Sequence, residues 1–86
     1  MMVPTVHLNG TSQDELERQI EAASSAVFDA IATVADAAPH GRDYHVQGDN
    51  AYERACTEHN ARMAKLRSVY DDLTELCVAI AGQRGA

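Results

Sequence analysis

Positive charge is scarce in this 86-residue chain, where seven Lys and Arg face 13 Asp and Glu for a formal net charge of −6 and a pI near 4.9. Direct binding to nucleic-acid phosphates needs a basic face, so that class of function is excluded as a first reading. Cysteine is scarce too, with only Cys56 and Cys77. Both fall in one predicted helix, 21 positions apart. At roughly 1.5 Å of rise per residue they are about 30 Å from each other, far beyond a disulfide. They read as small buried hydrophobes of a reducing compartment. No apolar run approaches the roughly 18 residues of a membrane span, and the first residues lack the basic-then-apolar order of a secretory signal. A soluble cytoplasmic protein without a membrane partner is expected.

Catalytic motifs are missing as well. Nothing resembles a nucleophile elbow, a phosphate-binding glycine loop or a paired carboxylate set, so neither an enzyme nor a cofactor is expected.

What the chain does contain is a long seam. Tyr52, Cys56, His59, Met63, Leu66, Tyr70, Leu73, Cys77 and Ile80 follow an alternating four-three spacing, a heptad ladder sustained over about eight turns that demands a partner surface of equal length. Ala55, Val69 and Leu76 flank it and widen the stripe to that of a bundle helix.

Punctuation residues divide the rest. An arm, residues 1–11, has a short extended stretch from Val3 to Leu8 and ends in the turn dipeptide Asn9-Gly10. Asn9-Gly10-Thr11 also fits a glycosylation acceptor, which is idle without secretion. Helix 1, residues 12–38, opens on Ser12 with Glu15 as a capping box, with Asp14, Glu15 and Glu17 favouring the positive end of its dipole. Its apolar positions are Leu16, Ile20, Ala23, Val27, Ile31 and Val34, and Pro39 forbids continuation. A loop, residues 39–48, precedes helix 2, residues 49–81, with Asn50 and Glu53 as a second cap pair, Gly82 as the stop and a frayed tail at 82–86.

Two such helices and one loop imply an all-α fold, an antiparallel two-helix hairpin with a short extended N-terminal arm, since neither stripe has another element to cover it. A single hairpin cannot hide both stripes, and a chain this short has little private core. The expectation is a homodimer forming a four-helix bundle, with Phe28, Tyr52 and Tyr70 in the interface.

Metal ligation has candidates in His40, His45, Cys56 and His59, because Cys56 and His59 share a helical face near the loop. Cys56 lies about two turns below the loop, however, so a core cysteine and a satisfied seam histidine are the preferred assignment, with no metal. Acidic residues gather at the end opposite the loop, Asp14, Glu15, Glu17 and Glu21 on helix 1 beside Asp71, Asp72 and Glu75 on helix 2. That pole suits a decoy for a nucleic-acid-binding protein, or an ordinary solvated bundle end. The loop is the richest recognition element: His40, Arg42, Asp43, Tyr44 and His45 are the expected partner-binding residues, held by a rigid hairpin.

The stretches Val6-His7-Leu8-Asn9-Gly10-Thr11-Ser12, Pro39-His40-Gly41-Arg42-Asp43-Tyr44 with Gln47-Gly48, and Glu58-His59 with Arg62 resemble small uncharacterised proteins of tailed bacteriophages and prophages. The resemblance implies a bacterial host cytoplasm and carries over no activity or catalytic residue. Secreted helical hairpins with a Trp-x-Gly turn are set aside, because the chain has no tryptophan. The function expected is a non-enzymatic protein–protein interaction module, phage-encoded and homodimeric, that binds itself and a host or phage protein. The alternatives are an acidic decoy that inhibits a host nucleic-acid-binding or defence protein, and a virion-assembly component.

Overall fold

The computed structural model describes residues 1–85; Ala86, expected at the end of a frayed tail, lies outside the described residues. Two long α-helices dominate, α1 at Gln13–Asp36 and α2 at Ala51–Ala81, and no strand occurs among the described residues. With 24 and 31 residues they extend about 36 and 47 Å.

Antiparallel pairing follows from cross-helix contacts whose residue numbers fall on one helix as they rise on the other. The Gln13 side-chain amide donates to the Ile80 carbonyl at 2.9 Å, the Cys77 thiol points at the Glu21 carboxylate at 4.0 Å, and the Phe28 and Tyr70 rings lie 5.8 Å apart. The result is a rod of 62 × 19 × 18 Å whose radius of gyration is 18.9 Å. A globular chain of this length has a radius of gyration of about 12 Å, so most side chains sit within one layer of solvent.

The seam of α2 turns toward α1 as its spacing requires. His59, Met63 and Ile80 are buried, Cys56, Leu66, Tyr70, Leu73 and Cys77 are half-buried, and only Tyr52 is exposed. On α1, Leu16, Ile20, Val27, Ile31 and Val34 are half-buried against it, whereas Ala23 is exposed. Ile80 is the one large side chain completely hidden among the described residues.

The ends depart from the sequence expectation in four places. Ser12 caps α1 as expected, its hydroxyl accepting from the Glu15 N–H at 3.2 Å, but the Glu15 carboxylate turns to Arg18 and Gln19 instead of completing the box. Helix α1 stops at Asp36, two residues before the expected Ala38. The N–H groups of Ala37 and Ala38 bond to Val34 and Ala35, which tightens the last turn ahead of Pro39. Asn50 precedes α2 in the left-handed region, φ 69°, and makes no side-chain cap; only its carbonyl joins the helix, accepting from Arg54 at 2.9 Å.

The tail is the largest departure. Gly82–Gly85 forms a 3-10 turn, and Gln83 within it clasps the arm. Its amide oxygen accepts from the Val6 N–H at 2.9 Å, and its amide nitrogen donates to the Pro4 carbonyl at 2.8 Å. Extended backbone without a sheet partner has unsatisfied polar groups, and one glutamine side chain satisfies two of them. The turn at Asn9-Gly10 forms as expected, closed by Gly10 N–H to His7 carbonyl at 3.1 Å.

Candidate binding cleft at the loop end

The loop is a pair of short 3-10 turns, Gly41–Asp43 and His45–Gln47, closed by N–H bonds from Asp43 to His40, Tyr44 to Gly41 and Gln47 to Tyr44. Gly48 then adopts φ 102°, a conformation that side chains rarely tolerate, and the chain turns into α2.

This backbone sorts the five expected partner-binding residues into two groups. His40, Arg42, Asp43 and His45 are exposed, and the His45 Nδ1 lies 3.0 Å from the Arg42 carbonyl. Tyr44 alone folds inward, half-buried, with its ring 6.4 Å from that of Tyr52. Arg42 and Asp43 do not pair with each other within ion-pairing distance among the described residues.

Tyr44 and Gln47 form one wall of a cleft of about 350 Å³ between the loop and α2. Ala37, Pro39, Ala51 and Ala55 give it a floor of small side chains. The other wall is a run of polar residues on α2: Arg54, Glu58, His59 and Arg62. Arg54, Glu58 and Arg62 are spaced by four, which stacks them along one face of the helix. None of the three makes an ion pair or a side-chain hydrogen bond among the described residues. His59 is only 7% exposed, yet neither ring nitrogen hydrogen-bonds to a described residue, and neither is both sealed from solvent and unsatisfied. Its polar edge therefore opens on the cleft.

The metal-ligand candidates do not assemble. Among the described residues no three His, Cys, Asp or Glu side chains converge as a metal site, and His40, His45, Cys56 and His59 are divided among the loop surface, the seam and the cleft wall.

Of the three aromatic candidates for a subunit interface, two lie together. Phe28 and Tyr70 are in ring contact, and Tyr52 falls at the same angle on α2 as Tyr70, five turns away. Phe28 remains 59% exposed and Tyr52 43%. Arg62, Glu58 and Arg54 are rotated from these tyrosines by about 80–160° around α2, so the charged wall of the cleft turns away from the aromatic strip, while His59 and Tyr44 border it at Tyr52.

At the opposite end the acidic residues are partly spoken for. Arg84 pairs with Asp14 and with Glu17, the latter at 2.7 Å, while Arg18 pairs with Glu15. Arg18 and then Gln19 hold the Glu15 carboxyl below its ordinary range, and Glu17 and Asp14 raise the Arg84 guanidinium. Asp71, Asp72 and Glu75 are exposed and make no ion pair among the described residues. Nearby, burial pushes the Cys77 thiol up, with the Glu21 and Glu17 carboxylates adding to the effect.

Unlike the five loop residues, Arg54, Glu58 and Arg62 are not singled out by the sequence as a binding set. Their spacing by four was a visible signal, but it is also the spacing of any solvated helix face. No protein-family model matches the chain, and neither a curated protein nor a solved structure is significantly similar to it. No helix among the described residues is long and apolar enough to cross a membrane.

Proposed function

We propose that the chain is a non-enzymatic protein–protein interaction module that works as a homodimer. Two hairpins pair through the Phe28, Tyr52 and Tyr70 strip into a four-helix bundle and hold their loop ends rigid for a partner. The observation that carries this reading is the unfinished core. Met63 and Ile80 are the only buried apolar residues among the described ones, while Phe28 keeps 59% of its surface in water beside Tyr70. Total accessible surface is 6328 Å², against about 5,000 Å² for a globular monomer of this mass. A second copy laid on the aromatic strip would remove that excess from water, which is the main favourable term in association.

Sedimentation equilibrium at micromolar concentration tests it, with a mass twice 9.3 kDa expected. A chain of native helicity that stays monomeric across that range overturns the dimer. The phage setting and host cytoplasm belong to the same proposal and rest on the arm and loop motifs. A second reading, the acidic decoy, is favoured by Asp71, Asp72 and Glu75, which make no ion pair among the described residues, and opposed by Arg84, which neutralises part of the same pole. It requires partner binding that weakens steeply with salt and with the D71N/D72N/E75Q variant.

A further inference from the structure

Three features of the loop-end cleft bear on what it takes up. Arg54 and Arg62 bring two guanidinium groups to one wall, and no described carboxylate lies within ion-pairing distance of either. His59, 7% exposed, makes no hydrogen bond to a described residue and keeps its polar edge open to the same space. The floor of alanine and proline side chains is apolar and the cleft holds about 350 Å³, near the lower end of the range of small-ligand sites.

Charge narrows the ligand. Two arginines against Glu58 leave one net positive charge, which matches a monoanion; a dianionic phosphate would face the uncompensated repulsion of Glu58. Guanidinium forks bind carboxylates in plane through two N–H donors. An ionised Glu58 can only accept, so the ligand beside the carboxylate must offer a donor. A carboxylate next to an amide N–H is the end of a polypeptide chain.

The geometry points to this cleft as a receptor for the C-terminal carboxylate of a partner polypeptide that ends in a small apolar residue. Arg54 and Arg62 hold the carboxylate, Glu58 accepts the last amide N–H, His59 hydrogen-bonds to the bound terminus, and the alanine floor takes the last side chain. The inference rests on the interaction-module reading and names the chemistry of its partner.

The test is a nitrogen-edited NMR titration of the full chain with N-acetylalanine, the smallest mimic of such a terminus, alongside its neutral carboxamide, acetate and inorganic phosphate. Expected are saturable shifts confined to the amides around Tyr44, Gln47 and Arg54–Arg62, in the millimolar range typical of so small a ligand. The carboxamide should produce none, and acetate and phosphate should bind more weakly than N-acetylalanine. Arg54→Gln and Arg62→Gln, both on an exposed helix face, should each weaken binding about tenfold or more while helicity is unchanged. Overturning results are an absence of saturable shifts, equal response to the carboxamide, acetate or phosphate binding as tightly, or Arg variants that bind normally. Sedimentation of the same samples separates the two proposals. A monomer that binds N-acetylalanine overturns only the dimer, and a dimer that does not bind it overturns only the cleft assignment.

Discussion

Replacing Phe28 by alanine should dissolve the dimer while leaving the hairpin folded. A phenylalanine side chain carries about 200 Å² of surface, so at 59% exposure roughly 120 Å² of it awaits a partner. Truncation to alanine forfeits about 80 Å² of that, worth about 2 kcal/mol at ~25 cal/mol per Å². A symmetric dimer contains the residue twice, so the loss is about 4 kcal/mol, or roughly a thousandfold in dissociation constant. Inside one hairpin the same change costs less than a core truncation: about 80 Å² of Phe28 is buried there, worth at most about 2 kcal/mol, the tilted contact with Tyr70 at 5.8 Å adds about 0.5–1.5 kcal/mol, and the retained Cβ and alanine's better helix propensity return part of both. Sedimentation equilibrium over a dilution series gives the dimer constant, and urea melts of the diluted monomer give its stability. A dimer constant within threefold of the parent, or a monomer destabilised by the roughly 3–5 kcal/mol of a core phenylalanine, would refute the reasoning.

Gly48→Ala should destabilise the fold by about 1–3 kcal/mol in urea melts, purely through backbone strain, because φ is 102° and no atom lies within 4 Å of an added Cβ. Cys77 should react with iodoacetamide more slowly than a free thiol at the same pH, with its rate profile displaced to higher pH. Burial, Glu21 and Glu17 all raise its pKa, and Glu21→Gln should move the profile part of the way back. The Glu15 carboxyl is held low by Arg18, so its contribution to the first turn of α1 is present above the ordinary glutamate pKa. That contribution is lost as pH falls through the lower, folded value, and amide exchange at Glu15 and Leu16 should rise relative to mid-helix as the solution is acidified below about pH 4. Gln83→Ala should release the arm, seen as faster proteolysis near residues 4–6 with no change in helicity.

The two rods and their facing stripes were legible because helical periodicity is a local property, set by side chains three and four positions apart. The ladder from Cys56 to Ile80 is buried or half-buried throughout, as its spacing requires. Capping was legible only in part. Ser12 needs nothing but its own helix, whereas Asn50 could cap α2 only if the preceding turn allowed it, and Gly48 instead delivers the chain in a left-handed step. Glu15 shows the same limit, since its carboxylate had Arg18 and Gln19 as better partners than the Ser12 N–H.

Residue spacing alone therefore determined an all-helical hairpin, its seam, and the exposure of Phe28 at the seam's edge. Tertiary structure alone decided what the ends do: that Gln83 reaches across 77 positions to the Val6 N–H, that Arg84 quiets the acidic pole, and that Tyr44 folds in to face Arg54, Glu58 and Arg62 while its loop neighbours stay out. The physical reason is one of range. Periodicity is fixed by neighbours along the chain, but a cleft or a clasp depends on groups distant in sequence whose meeting is decided only once the rods have been laid side by side.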